Sequence, residues 1–286
     1  MGLMPTGALV ADTVAARVGL AAFNVITLEH AEAIVAGAEA AGRPVILQIS
    51  QNAVRWHAGR MRPIARGAAA VAEQATVPVS LHLDHVEELA LLEQAADAGF
   101  SSVMFDAGAL PHDRNIAVTA EAAALAHRAG LWVEAELGYV GGKPDQPASA
   151  HAPGVRTDPA EAAAYVAATG VDGLAVAVGS SHAMTTRSAR LDIDLVERLR
   201  AAVPVPLVLH GSSGVPDDEL RRAVTAGIVK VNVGTALNIA MTSAVRTVLG
   251  QDADLVDPRR YLGPARDAIA ATVRAVLDVV AAPAPG

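Results

Sequence analysis

Three histidines carry the first chemical signal in this 286-residue chain. His85, His182 and His210 each stand at or just after a short β-branched run, with the acids Asp84, Asp106 and Glu136 at similar places. There is no cysteine, so a disulfide framework, a thiolate nucleophile and a thiolate-held metal are all excluded. Three neutral imidazoles with a fourth position left open make a common catalytic zinc site, and nearby carboxylates suit its outer support. A second signal lies further on. His210-Gly211-Ser212-Ser213-Gly214 and Asn232-Val233-Gly234-Thr235 each run from a strand into a helix. Glycine-rich turns that open a helix bind phosphate through backbone N–H groups. Two other readings stay open at this point. Lys230 lies in a predicted strand and shares its face with Asn232, which would suit Schiff-base chemistry on the same scaffold, though such a site needs no three histidines. A barrel that binds metal without catalysis is the other.

These residues must be positioned by an alternation of short strands and alanine-rich helices. The pattern predicts strands over 20–25, 44–50, 78–83, 101–106, 131–136, 173–178, 205–210 and 228–233. It predicts helices near 28–41, 60–75, 86–98, 114–129, 158–169, 192–202, 216–226 and 236–249. Eight βα units point to an α/β chain folded as one (β/α)8 TIM barrel over residues 1–286, with the active site at the C-terminal strand ends. An N-terminal helix over about 6–19 would close the barrel bottom, and an extra helix is expected over about 263–280. Residues 137–156, rich in Gly, Pro, Ala and His, are too long for an ordinary connection and read as a binding loop.

Composition supports this and excludes other classes. Hydrophobic residues make up 52% and charged residues 18%, which excludes disorder over most of the length. A net charge of −8 gives no footprint for nucleic acid. No apolar run suits a membrane span, and no leader pattern opens the chain, so a cytoplasmic protein is expected. The start, Met1-Gly2-Leu3-Met4-Pro5-Thr6, formally fits a myristoylation pattern, which is short and common by chance.

The chain resembles the class II, zinc-dependent fructose/tagatose-bisphosphate aldolases over nearly its whole length. The segments that carry the resemblance include Ala22-Phe23-Asn24-Val25, Leu81-His82-Leu83-Asp84-His85, Val133-Glu134-Ala135-Glu136-Leu137-Gly138, Leu207-Val208-Leu209-His210-Gly211, Lys230-Val231-Asn232-Val233 and Asp257-Pro258-Arg259-Arg260-Tyr261-Leu262. The resemblance implies reversible aldol cleavage of a ketose (bis)phosphate, with dihydroxyacetone phosphate as the enediolate partner, in glycolytic or related carbohydrate metabolism. It implies one catalytic Zn²⁺ on His85, His182 and His210, and Asp84 as the acid/base for the aldol hydroxyl. Asp106 and Glu136 would orient ligands or hold metal at an alternate place. Gly211, Ser213, Asn232 and Thr235 would form the dihydroxyacetone phosphate pocket, with Asn24 and Ser50 across from it. Carbonyls at Ala183 and Gly211 would hold a monovalent cation, Na⁺ or K⁺. A homodimer or homotetramer is implied as well, with the 263–280 helix able to pack between subunits.

Departures from the family pattern mark a divergent branch. The loop glutamate that takes a proton from the ketose phosphate is replaced by Pro144. Asp145 is the only acid between Glu136 and Asp158, so it is the expected base, with His151 as the alternative. The expected lid covers 138–156. The phosphate-facing lysine after His182 is absent, with Arg187 one position late.

Overall fold

The computed structural model describes residues 2–140 and 156–281. Among them, eight parallel strands close into a barrel: Leu20–Asn24 (β1), Val45–Ser50 (β2), Pro78–Val86 (β3), Ser102–Phe105 (β4), Trp132–Leu137 (β5), Gly173–Val176 (β6), Leu207–Leu209 (β7) and Ile228–Val233 (β8). Each strand pairs with its sequence neighbours, and β8 returns to β1 through Leu20 opposite Lys230 and Ala22 opposite Asn232. Gly2–Leu3 adds a two-residue edge beside β3. There the Gly2 backbone N–H donates to the Ala75 carbonyl, so this nitrogen is committed to the fold.

Alternation along each strand divides the chain's apolar residues into two cores. Residues that point outward, such as Phe23, Leu47, Leu81, Val103, Val133, Leu174, Leu209 and Val231, pack under the helices. Full burial of one such side chain stabilises by about 1.5–3 kcal/mol. The inward residues form layers. At the bottom, Leu20, Ala22 and Ile46 meet Leu9 and Val10 of the Thr6–Ala16 helix, with Trp132 against them. Gly173 makes room for that indole, since a Cβ there would stand 2.5 Å from the ring. Above this apolar floor the interior turns polar. Gln48 lies opposite His82, His82 opposite Ser102, and Met104 opposite Glu134. The Thr6 hydroxyl reaches Ser102 Oγ at 2.7 Å and ties the floor to this layer.

Several element boundaries differ from the sequence pattern, for local reasons. A helix absent from that pattern, Gln51–Trp56, starts where Ser50 Oγ accepts the Ala53 N–H. β3 runs on to Val86, and the helix expected over 86–98 breaks into Leu89–Leu92 and Ala95–Ala98. The N-terminal helix stops at Ala16, where Arg17 is left-handed (φ 55°). The C-terminal helix, Arg259–Ala281, starts earlier than 263 and carries Pro264 inside it. Its buried face, Ala265, Ile269, Val273 and Leu277, packs within its own chain, against the Leu28–Ala41 and Thr235–Gln251 helices.

Candidate active site at the C-terminal end of the barrel

The strand ends surround a cavity of about 580 Å³. Asn24, Ser50, Asp84, His85, Asp106, His182, Ala183, Gly211, Ser213, Asn232 and Thr235 all line it. Glu136 meets the site indirectly, through His210. Asp145 and His151 lie outside the described residues.

Backbone geometry aims the histidines. His85 follows Asp84 at a register shift between β3 and β4 and holds φ 49°, a left-handed conformation that a side chain seldom adopts. His210 continues β7, and Gly211 after it turns left-handed (φ 67°). A Cβ at Gly211 would stand 2.6 Å from the Ser181 carbonyl, so only glycine lets this loop approach the His182 loop. The outcome is a cluster in which one ligand atom from each of His85, His182 and His210 lies within 4.8 Å of the others. Tetrahedral zinc holds imidazole nitrogens about 3.3 Å apart at bonds of about 2.0–2.1 Å. Modest side-chain rotation closes the cluster to that size, so donor type and placement fit a metal ion.

Carboxylates orient two of the rings. His85 Nδ1 donates to Asp106 Oδ2 at 2.8 Å, which leaves Nε2 with its lone pair. His210 lies between two acids, with Nδ1 at 2.7 Å from Glu136 and Nε2 at 2.8 Å from Glu134. Both nitrogens can donate only as imidazolium. Burial pushes the His210 pKa down, but the bonds to Glu134 and Glu136 outweigh it and raise it to about 9. Burial likewise disfavours the Glu134 carboxylate, yet Lys230 and His210 hold its pKa well below the usual range. Lys230 Nζ lies 2.7 Å from Glu134 Oε2 and is fully buried. A salt-bridged, enclosed ammonium is unsuited to Schiff-base attack, which needs a free amine.

Asp84 is buried beside the cluster. Burial raises its pKa, and His85, His210 and Lys230 together bring it below the ordinary value, so it is a carboxylate. Asn24 Nδ2 donates to Asp84 Oδ2 at 3.3 Å, while Gln48 Nε2 donates to Asn24 Oδ1 at 3.0 Å. Gln48 thereby fixes which end of the Asn24 amide faces the acid. His82, beneath Asp84, bonds Ser102 Oγ at 2.8 Å; burial, then Lys230, lower its pKa to about 3 and keep it neutral.

The glycine/serine loops lie across the cavity. Ser213 Oγ accepts the Ala236 N–H at 3.1 Å and joins the two loops. Thr235 opens the 17-residue helix Thr235–Gln251, and the positive end of that helix dipole favours an anion. Arg187 does not take the place of the missing lysine. Its guanidinium donates to the Val215 carbonyl at 2.8 and 3.0 Å and pairs with Asp217, away from the cavity lining. At the opposite rim Arg55 is held by Glu87 and Glu88 at 3.2 and 3.1 Å.

Sequence reading missed working roles for Gln48, Glu134 and Lys230. Each stands two residues before a recognised site residue, Ser50, Glu136 or Asn232, on the same strand face. The two-residue period was the available signal.

Residues 5–283 match the protein family described as fructose-bisphosphate aldolase class-II. The chain is 38% identical over 275 residues to a fructose-bisphosphate aldolase of Geobacillus stearothermophilus, covering 96% of this chain and 95% of that one. It is 39% identical over 253 residues to one of Staphylococcus epidermidis, covering 88% of each. Among solved structures it is similar to the YdjI aldolase of Escherichia coli K12, with a TM-score of 0.82, 30% identity and 97% of each chain covered.

Proposed function

The chain belongs to the class II fructose-bisphosphate aldolase family, and from that premise we propose how its site performs aldol chemistry. The reaction is reversible cleavage of a ketose phosphate between C3 and C4, giving dihydroxyacetone phosphate and an aldehyde. The observation that carries this reading is the meeting of three imidazoles from three strand ends beside a buried carboxylate.

His85, His182 and His210 hold a Zn²⁺ ion in this reading. Zinc supplies Lewis acidity toward the electron pair left on the ketone fragment when the bond breaks. Asp84, ionised and steadied by Asn24, takes the proton of the C4 hydroxyl during cleavage and returns it in synthesis. Asp106 and Glu136 keep their histidines turned toward the ion. Gly211, Ser213, Asn232 and Thr235 hold dihydroxyacetone phosphate, with its phosphate against the helix N-terminus at Thr235. Asn24 and Ser50 flank the substrate on the other side; Ser50 accepts from Ala53, so its own hydroxyl hydrogen is available to the cavity. Backbone carbonyls at Ala183 and Gly211 suit a monovalent cation. Asp145 supplies the proton that C3 gains after cleavage and removes it from dihydroxyacetone phosphate in synthesis. No helix among the described residues is long and apolar enough to cross a membrane. A cytoplasmic homodimer or homotetramer completes the proposal.

The test is a panel of ketose mono- and bisphosphates, with cleavage followed through the triose phosphate released. Zinc-loaded protein should cleave at least one, and chelated protein should not until zinc is restored. Full activity in metal-free protein would overturn the reading.

A further inference from the structure

Lys230 sits in the middle layer of the barrel and is fully buried. Its ammonium reaches two groups, Glu134 Oε2 at 2.7 Å and Asn232 Oδ1 at 2.8 Å. A lysine ammonium has donors and no acceptor. The atom of the Asn232 amide that faces it must therefore be the oxygen, and the NH₂ group must turn the other way. Asn232 Nδ2 is buried, finds no acceptor among the described residues, and belongs to a side chain that lines the cavity. Buried donors are seldom left unsatisfied. A donor aimed into the substrate cavity is satisfied when the ligand brings an acceptor.

We propose that Lys230 is a positioning residue that locks the Asn232 amide with its NH₂ group pointing into the cavity. This point of the site then accepts only a hydrogen-bond acceptor, such as a carbonyl, hydroxyl or ionised oxygen of the substrate. The inference rests on the aldolase reading of the site for the identity of that oxygen. Without the ammonium below it the amide is free to turn, and the turned amide sets its own oxygen against the substrate oxygen. An oxygen that gains negative charge during reaction feels the loss most in the transition state, so kcat suffers more than KM. A competing role must be separated. Lys230 also balances the charge of Glu134, which in turn holds His210.

The experiment is a set of variants of the zinc-loaded enzyme, with kcat and KM measured for cleavage and affinity measured for dihydroxyacetone phosphate. K230M should lower kcat about tenfold, the size of one lost hydrogen bond, and change KM less. Because the lysine acts through the amide, the same change in an N232A background should cost far less than in wild type. An equal cost in both backgrounds overturns the proposal. The double variant E134Q/K230M removes one charge of each sign, so the buried charge stays balanced and a folding failure is guarded against; E134Q is its reference. E134Q/K230M should stay well below E134Q in kcat; equality would mean that Lys230 only neutralises Glu134, and the proposal falls. The dihydroxyacetone phosphate affinities repeat the Lys230–Asn232 cycle without turnover. Failure of the wild type to cleave any ketose phosphate would strike the aldolase reading, while additive effects of K230M and N232A on kcat in an active enzyme would strike the Lys230 inference by itself.

Discussion

Titrating zinc into chelator-stripped protein at several pH values probes the position of His210 between two carboxylates. Hydrogen bonds from both ring nitrogens, at 2.7 Å to Glu136 and 2.8 Å to Glu134, raise its pKa to about 9. The ordinary value is about 6.5, so the metal-free ring carries its extra proton throughout the neutral range. A ligating nitrogen needs its lone pair, so each zinc ion that binds must displace that proton and one of the two carboxylate bonds. The sign follows: acid opposes binding. From this one group the apparent affinity should rise about tenfold per pH unit between pH 6.5 and 8.5, about 100-fold in all, and level off above about 9. Calorimetry at pH 7.5 in buffers of different ionisation enthalpy should report about one proton released per zinc. Glu136→Gln removes one of the two supports, so the rise should end at a lower pH. An affinity that stays flat from pH 7 to 8.5, with no proton released, would refute the reasoning and place a neutral His210 in the metal-free state.

Other outcomes follow from the same geometry. Asp84→Asn should keep stoichiometric zinc and lower kcat by about 10²–10⁴, as expected for loss of a general acid/base; loss of zinc instead would make Asp84 a support for the metal. Asp106→Asn weakens the 2.8 Å bond that orients His85 and should cost about 10–100-fold in zinc affinity, measured against a competing chelator. Solvent exchange of the C3 proton of dihydroxyacetone phosphate, without aldehyde, tests the loop base expected from sequence. Asp145→Ala should abolish it with zinc and ligand binding intact, and arrest by His151→Ala alone would move the role to the histidine.

The alternation of elements and the residues at strand ends were legible in the chain itself. Each β-branched run and the alanine-rich segment after it follow local propensity and period, and in a parallel barrel the strand order repeats the chain order. That is why Asp84, His85, His182, His210 and Asn232 were placed on one face of the molecule by counting alone. Local signals also failed locally. The left-handed backbone at His85 breaks the alternation that would have aimed its ring, and it depends on the register shift between β3 and β4. What only the tertiary structure decided is the wiring beneath the site. Glu134 and Lys230 lie 96 residues apart in sequence, and nothing near either one names the other. Barrel closure stacks Gln48 under Asn24, His82 under Asp84, and Lys230 between Glu134 and Asn232. Burial then settles their protonation, because an enclosed charge persists only beside its opposite. Arg187 shows the same limit from the other side. One position from the expected cation in sequence, it is turned to Val215 and Asp217 by contacts that only the folded loops create.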